Sequence, residues 1–216
     1  MPIQYRNIAF LFLFVWLTAF VCHAQTDIAG SIYGAFSTSP QGGGTSQTQS
    51  DAAGGLLEIQ HIFFPTMSFE VTYSYNRADQ SYIPTFSAVP ANVCLPGPGC
   101  ATTSPLIPTS FPANANEFTA DWIPSKTTGA LLPFAVLGGG VLIDVPSGGQ
   151  SNTTTATKPV FVFGLGMDWA RWKRVGLRFQ YRGNLYSAPL LTTQYASTGS
   201  LMLTNEPMVG VYFRLP

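Results

Sequence analysis

The sequence predicts an all-β fold, an eight-stranded antiparallel up-and-down transmembrane β-barrel. Three observations predict it. Polar and apolar side chains alternate along segment after segment, which is the period of a strand and not of a helix. The connections between those segments alternate long and short. Charged residues make up only 9% of the 216, against 46% hydrophobic and 13% aromatic, whereas a soluble domain typically carries about 25% charge. Lys plus Arg and Asp plus Glu number 10 each. No basic surplus therefore points to nucleic acid, and no acidic block points to a solvated tail.

The first 24 residues read as a secretory signal peptide that is removed, leaving 25–216 as the barrel domain. Arg6 precedes an uncharged apolar run from Ile8 to Val21, and small Ala24 stands before polar Gln25-Thr26-Asp27. A retained helical anchor and a lipid-modified Cys22 are the alternatives. The run is shorter than the roughly 18 residues of a spanning helix, and Ala19-Phe20-Val21 is too bulky for a good lipidation site. Cleavage after Ala24 leaves Cys94 and Cys100, an even pair in an exported chain, which suggests a disulfide. Leu95-Pro96-Gly97-Pro98-Gly99 between them is built to turn. Two free thiols are the alternative.

In chain order, the first strand is expected over Asp27–Ser37, Gly-rich and with unclear faces. The second, Leu57–Phe63, sets Leu57, Ile59 and Phe63 against Glu58 and Gln60. The third, Ser68–Asn76, alternates most cleanly, with Phe69, Val71, Tyr73 and Tyr75 opposite Ser68, Glu70, Thr72, Ser74 and Asn76. The fourth opposes Glu117, Thr119 and Asp121 to Phe118, Ala120 and Trp122. The fifth, Leu131–Val145, is again Gly-rich. The sixth opposes Phe161, Phe163, Leu165, Met167 and Trp169 to Val162, Gly164, Gly166 and Asp168. The seventh opposes Leu177, Phe179 and Tyr181 to Arg178, Gln180 and Arg182. The last sets Val209, Val211, Phe213 and Leu215 against Gly210, Tyr212 and Arg214.

Long polar connections are expected at 38–53, 78–113, 146–158 and 187–205. Short ones are expected at Pro65-Thr66, Pro124–Gly129 and Arg171–Arg174. Short turns on one side and long loops on the other mark an up-and-down membrane barrel, with the long loops outside the cell.

Energetics choose the face. An Arg facing lipid near the midplane costs about 2–4 kcal/mol, so Arg178 and Arg182 are expected inside, and their apolar alternates outside. An eight-stranded barrel is filled by its own side chains, and charges buried there must pair. The expectation is an internal network joining Glu58, Glu70, Glu117, Asp121 and Asp168 to Arg178, Arg182 and Arg214. Trp122, Trp169, Phe63 and Phe213 are expected in an aromatic girdle near the short turns. Tyr73, Tyr75, Tyr33 and Phe36 are expected near the long loops.

Within 161–182, Gly164-x-Gly166-x-Asp168, a tight polar turn and Leu177-Arg178-x-x-Tyr181-Arg182 follow one another. This hairpin resembles the late hairpin of OmpA-like, porin-family small outer-membrane barrels. The segment from Leu132-Pro133-Phe134 to Gly138-Gly139-Gly140 resembles the strand before it. The resemblance spans Gln25 to Pro216 and implies a bacterial outer-membrane barrel without the peptidoglycan-binding domain of the full-length family members. It implies outer-membrane lipid and the barrel-assembly machinery as partners. Family members often finish on Phe or Trp, whereas here Phe213 is followed by Arg214-Leu215-Pro216.

No chemistry stands out. Gly42–Gly44 lacks the Lys-Ser/Thr of a phosphate loop, and Gly138–Gly140 lies inside a strand. After cleavage His61 is the remaining histidine, in phase with the lipid-facing set and at the short-turn end. No catalytic residue, metal site or cofactor is expected, and the chain is expected not to be an enzyme. Three roles remain: a structural or surface protein acting through its four long loops, a narrow channel for small or apolar solutes, and a lipid-modifying enzyme of the rim. The channel draws on Gly164, Gly166 and Gly210, whose inner positions could leave a lumen.

Overall fold

A computed structural model describes residues 25–85, 108–126, 128–149 and 152–215. Every regular element among them is a strand: β1 Gln25–Ser37, β2 Gln41–Gly42, β3 Thr45–Gln49, β4 Ala52–Phe64, β5 Met67–Pro84, β6 Thr109–Pro124, β7 Leu131–Pro146, β8 Ala156–Trp169, β9 Val175–Ser187 and β10 Leu201–Arg214. Residues 1–24 and Cys94 and Cys100, with the signal peptide and disulfide expected there, lie outside the described residues.

Eight long strands form a closed antiparallel barrel. Their order is β5-β4-β1-β10-β9-β8-β7-β6, and β6 pairs back onto β5. The faces follow the alternation. Leu57, Ile59, Phe69, Val71, Phe118, Phe161, Leu165, Phe179, Val209 and Val211 point outward and are exposed. Their neighbours in sequence, among them Glu58, Glu70, Glu117, Arg178 and Arg182, are buried within. Large exposed apolar side chains on every strand of a closed barrel make a belt that only lipid can cover. Phe63, Phe64, Met67, Trp122, Trp169 and Phe213 are exposed where that belt meets the short turns.

Strand ends depart from the expectation. The β5–β6 ladder continues from Met67↔Pro124 out to Tyr82↔Thr109, so 78–84 and 109–113 are strand, not loop. The 38–53 connection contains the β2–β3 hairpin, and β3 pairs with the outer half of β5 from Gln49↔Gln80 to Thr45↔Pro84. The reason is that β5 rises beyond the apolar belt. Ala78, Gln80 and Tyr82 still face inward and are buried, but Arg77, Asp79 and Ser81 face water. With polar residues on both faces, alternation no longer announces a strand. Tyr33 also departs: it points into the barrel and is buried, not placed in a girdle.

Candidate functional site, the barrel interior

Arg178 on β9 has 1% exposure. Its Nε donates to Asp168 Oδ1 at 2.9 Å and its Nη2 to Asp168 Oδ2 at 3.1 Å. Asp168 on β8 is its direct cross-strand partner. Nη1 reaches across the lumen to Glu58 Oε2 on β4 and Glu70 Oε2 on β5, both at 2.9 Å. Nη2 also donates to Gln60 Oε1 at 2.8 Å. The Phe134 ring lies under the guanidinium, 4.9 Å from its centroid. One cation thus ties four strands together, with several charge-assisted bonds to offset its desolvation.

Arg182, four residues on, also faces inward and is fully buried. Its Nη2 donates to Thr119 Oγ1 at 3.1 Å, and lies 3.5 Å from both Glu117 Oε1 and Asp121 Oδ2. Thr72 and Thr119 hydroxyls bond each other at 2.6 Å, and Asn184 Nδ2 donates to Glu117 Oε2 at 3.0 Å. Gly138 and Gly140 of β7 are the cross-strand partners of Asp121 and Thr119. A Cβ at Gly138 would run into the Asp121 carboxylate, and one at Gly140 into the Phe118 carbonyl. The absent side chains are what let this layer form.

Arg214 does not join either layer. It sits at the short-turn end, partly exposed, with Nη2 3.3 Å from Asp27 Oδ2. Three buried carboxyls inside the barrel carried no signal in the sequence reading: Asp27, Asp144 and Glu206. Asp144 lies in the Gly-rich fifth segment whose faces were unclear. Glu206 is masked by Asn205, which points outward and accepts from the Tyr181 hydroxyl.

The space over several inner glycines is filled. The Phe134 ring occupies the space over Gly166, the Tyr212 ring that over Gly176, and the Tyr33 ring that over Gly54. At Gly210 the space is taken by Ser31, and at Gly164 by the Tyr181 carbonyl. Below Arg178, toward the short turns, a vestibule of about 450 Å³ is lined by Asp27, Gln60, Lys126, Phe134, Asp168 and Arg214 among others. It ends at the Arg178 layer.

The other end is capped. The connection between β9 and β10 folds back across the mouth. Gln47 Nε2 and Tyr82 Oη donate to Pro189 O at 2.8 and 2.9 Å, and Leu191 N donates to Tyr82 Oη at 3.0 Å. Leu191 is buried among Tyr82, Phe111, Ala113, Ala156 and Tyr195. Tyr82 stacks between Phe111 and Tyr195, with centroids 5.9 and 5.7 Å away. The outer ends of β5 and β6 carry Tyr82, Phe111 and Ala113 of this cluster, and β3 contributes the Gln47 bond to Pro189.

His61 stands at the short-turn end, with Nδ1 3.0 Å from Thr26 Oγ1 and its ring edge-on to Phe63 at 4.6 Å. Thr26 and His61 are direct cross-strand partners on β1 and β4, so the hydroxyl–imidazole contact is that of an ordinary cross-strand pair.

No protein-family model and no curated protein matches the chain. Solved structures do. Neisserial surface protein A is 13% identical, with a TM-score of 0.54 over 89% of this chain and 99% of that one. The outer membrane protein OprG from Pseudomonas aeruginosa is 10% identical, with a TM-score of 0.53 over 89% and 96%. Ail, the attachment invasion locus protein of Yersinia pestis, solved with the heparin analogue sucrose octasulfate, is 11% identical, with a TM-score of 0.50 over 89% and 99%. At these identities the likeness speaks for the fold. The closed order and the outward apolar belt make the chain a small eight-stranded antiparallel β-barrel, the fold it shares with these outer-membrane proteins.

Proposed function

We propose that this barrel is a sealed anchor that holds an interaction surface outside the cell, and is not a pore. The observation that carries the reading is the double closure of the lumen, by the Arg178 and Arg182 layers within and by the segment around Leu191 above. A solute path would have to break both. The loop-bearing end is built where specificity usually lies, on connections positioned by a rigid scaffold. Its surface comprises the β2–β3 hairpin, the extended tips of β5 and β6, and the connections within 78–113, 146–158 and 187–205. Neighbouring barrels whose descriptions name a surface protein and an attachment protein support a role in adhesion or envelope integrity. Export with removal of residues 1–24, insertion by the barrel-assembly machinery, and a Cys94–Cys100 disulfide stapling the 78–113 connection belong to the same reading. So does the absence of catalysis, since Glu58, Glu70, Asp168, Glu117 and Asp121 are held by Arg178 and Arg182.

Planar-bilayer recording of the purified protein tests this reading. No stepwise conductance is expected. Steady channels would replace the anchor with a solute passage.

A further inference from the structure

The charges inside this barrel do not balance. Arg178 is taken up by Glu58, Glu70 and Asp168, and Arg182 by Glu117 and Asp121. Asp144 on β7 and Glu206 on β10 remain, 2% and 3% exposed, and neither forms an ion pair. Lys158, diagonally across the β7–β8 ladder from Asp144, makes none with it. Asn184 bonds Glu206 and Arg182 attracts it, but a buried ionised carboxylate without an ion pair is still strongly disfavoured.

A second observation is independent of the acidic pair. Asn76 and Asn184 are also buried, and the side-chain oxygen of each lacks a hydrogen-bond partner, as does one oxygen each of Asp144 and Glu206. All four residues line one cavity of about 10 Å³, together with Glu117 and Tyr186. That is room for a single water-sized occupant. Each unpartnered atom is an acceptor. The Asn184 orientation is set, because its amide nitrogen already donates to Glu117. A cavity faced by unpartnered hard oxygens and excess negative charge calls for a cation. No group of three acidic, His or Cys side chains that could hold a metal ion occurs among the described residues; two carboxylates and two amide oxygens supply four of the roughly six to eight oxygens that calcium takes, and Gln49, Ser74, Glu117 and Thr204 line the same cavity.

We propose that Asp144, Glu206, Asn76 and Asn184 form a buried site for one small hard cation, calcium-like in charge, that neutralises the upper lumen. Because the lumen is closed, the ion enters during folding.

The test uses protein purified from membranes, unfolded, stripped with chelator and refolded in detergent with or without calcium chloride. The expected result is a saturable rise in the unfolding midpoint with calcium. Terbium refolded in its place should give luminescence excited through Tyr186. The double variant Asp144→Asn/Glu206→Gln should lose both responses, yet unfold later than the parent in chelator, since it no longer buries unpaired charge. Asn76→Ala keeps the charges and should weaken calcium binding several-fold, which provides a reading even if the double variant fails to fold. A midpoint indifferent to calcium, or one that responds only to pH, would assign neutralisation to protons and overturn the proposal. A calcium response that survives the double variant would place the ion in the loops, with the same consequence. So would a midpoint unaffected by calcium that drops in Lys158→Gln.

Discussion

Arg178 and Asp168 face each other across the β8–β9 ladder, and the guanidinium grips both carboxylate oxygens at 2.9 and 3.1 Å. The same Arg reaches Glu58 and Glu70 on the far side of the barrel. A local cross-strand pair is thereby also the tie that joins opposite walls.

Replacing this Arg should be severe. Arg178→Leu strands Glu58, Glu70 and Asp168 without their cation, and removing one partner of a buried pair costs about 3–5 kcal/mol. The urea midpoint of the refolded protein in detergent reads it. An unchanged midpoint would show that the layer contributes nothing to stability. Lys in its place should recover only part of the loss, because an ammonium cannot make the bidentate contact.

Gly166 and Phe134 should be coupled. Gly166→Ala places a methyl inside the Phe134 ring, an overpacking expected to cost about 1–3 kcal/mol. Phe134→Ala vacates that space, so the double variant should be more stable than the summed single effects allow. Strict additivity in the cycle would show that the ring does not sit over Gly166.

The cap and the Arg layers should act in series. Tyr82→Phe removes the hydroxyl that bonds Pro189 and Leu191, a loss of about 1 kcal/mol. Faster proteolysis within 188–198 should follow, with no conductance, because the charged layers beneath still close the lumen. Channels appearing in this variant would mean that the cap alone seals the barrel.

Depth in the belt should matter more than exposure. Leu165 and Leu201 are 69% and 62% exposed on the outer face, but Leu165 lies at the centre of the outward apolar run Phe161–Trp169 of β8 and Leu201 starts β10 at the long-loop end. Leu165→Arg should cost about 2–4 kcal/mol and Leu201→Arg at most about 1. Equal costs for the two in lipid vesicles would misplace the belt.

The extent to which the sequence was readable follows depth too. Where one face meets lipid and the other a packed interior, as at Phe69–Glu70–Val71 or Phe179–Gln180–Tyr181, alternation is steep and strand, face and the inward position of Arg178 and Arg182 are all visible. Past Arg77 the outward face meets water, the contrast vanishes, and the outer half of β5 looks like loop from sequence. At Asn205–Glu206–Pro207 an outward Asn, satisfied by Tyr181, breaks the contrast inside the barrel and conceals a buried Glu. Sign and phase group Arg214 with the inner cations, but its height along the barrel axis pairs it with Asp27, over the Tyr212 ring.

By itself the sequence determined the eight long strands within the apolar belt, the faces of most of them, the rhythm of the connections and hence the barrel class, because side-chain direction has a local period of two. Tertiary structure alone decided which carboxylates each Arg meets, that aromatic rings fill the space over the inner glycines, that the β9–β10 connection caps the mouth, and that Asp144, Glu206, Asn76 and Asn184 share one cavity. Those relations join β4 to β9 and β5 to β10 across the lumen. Strand tilt and closure fix the height at which distant residues meet, and no periodicity along the chain records that height.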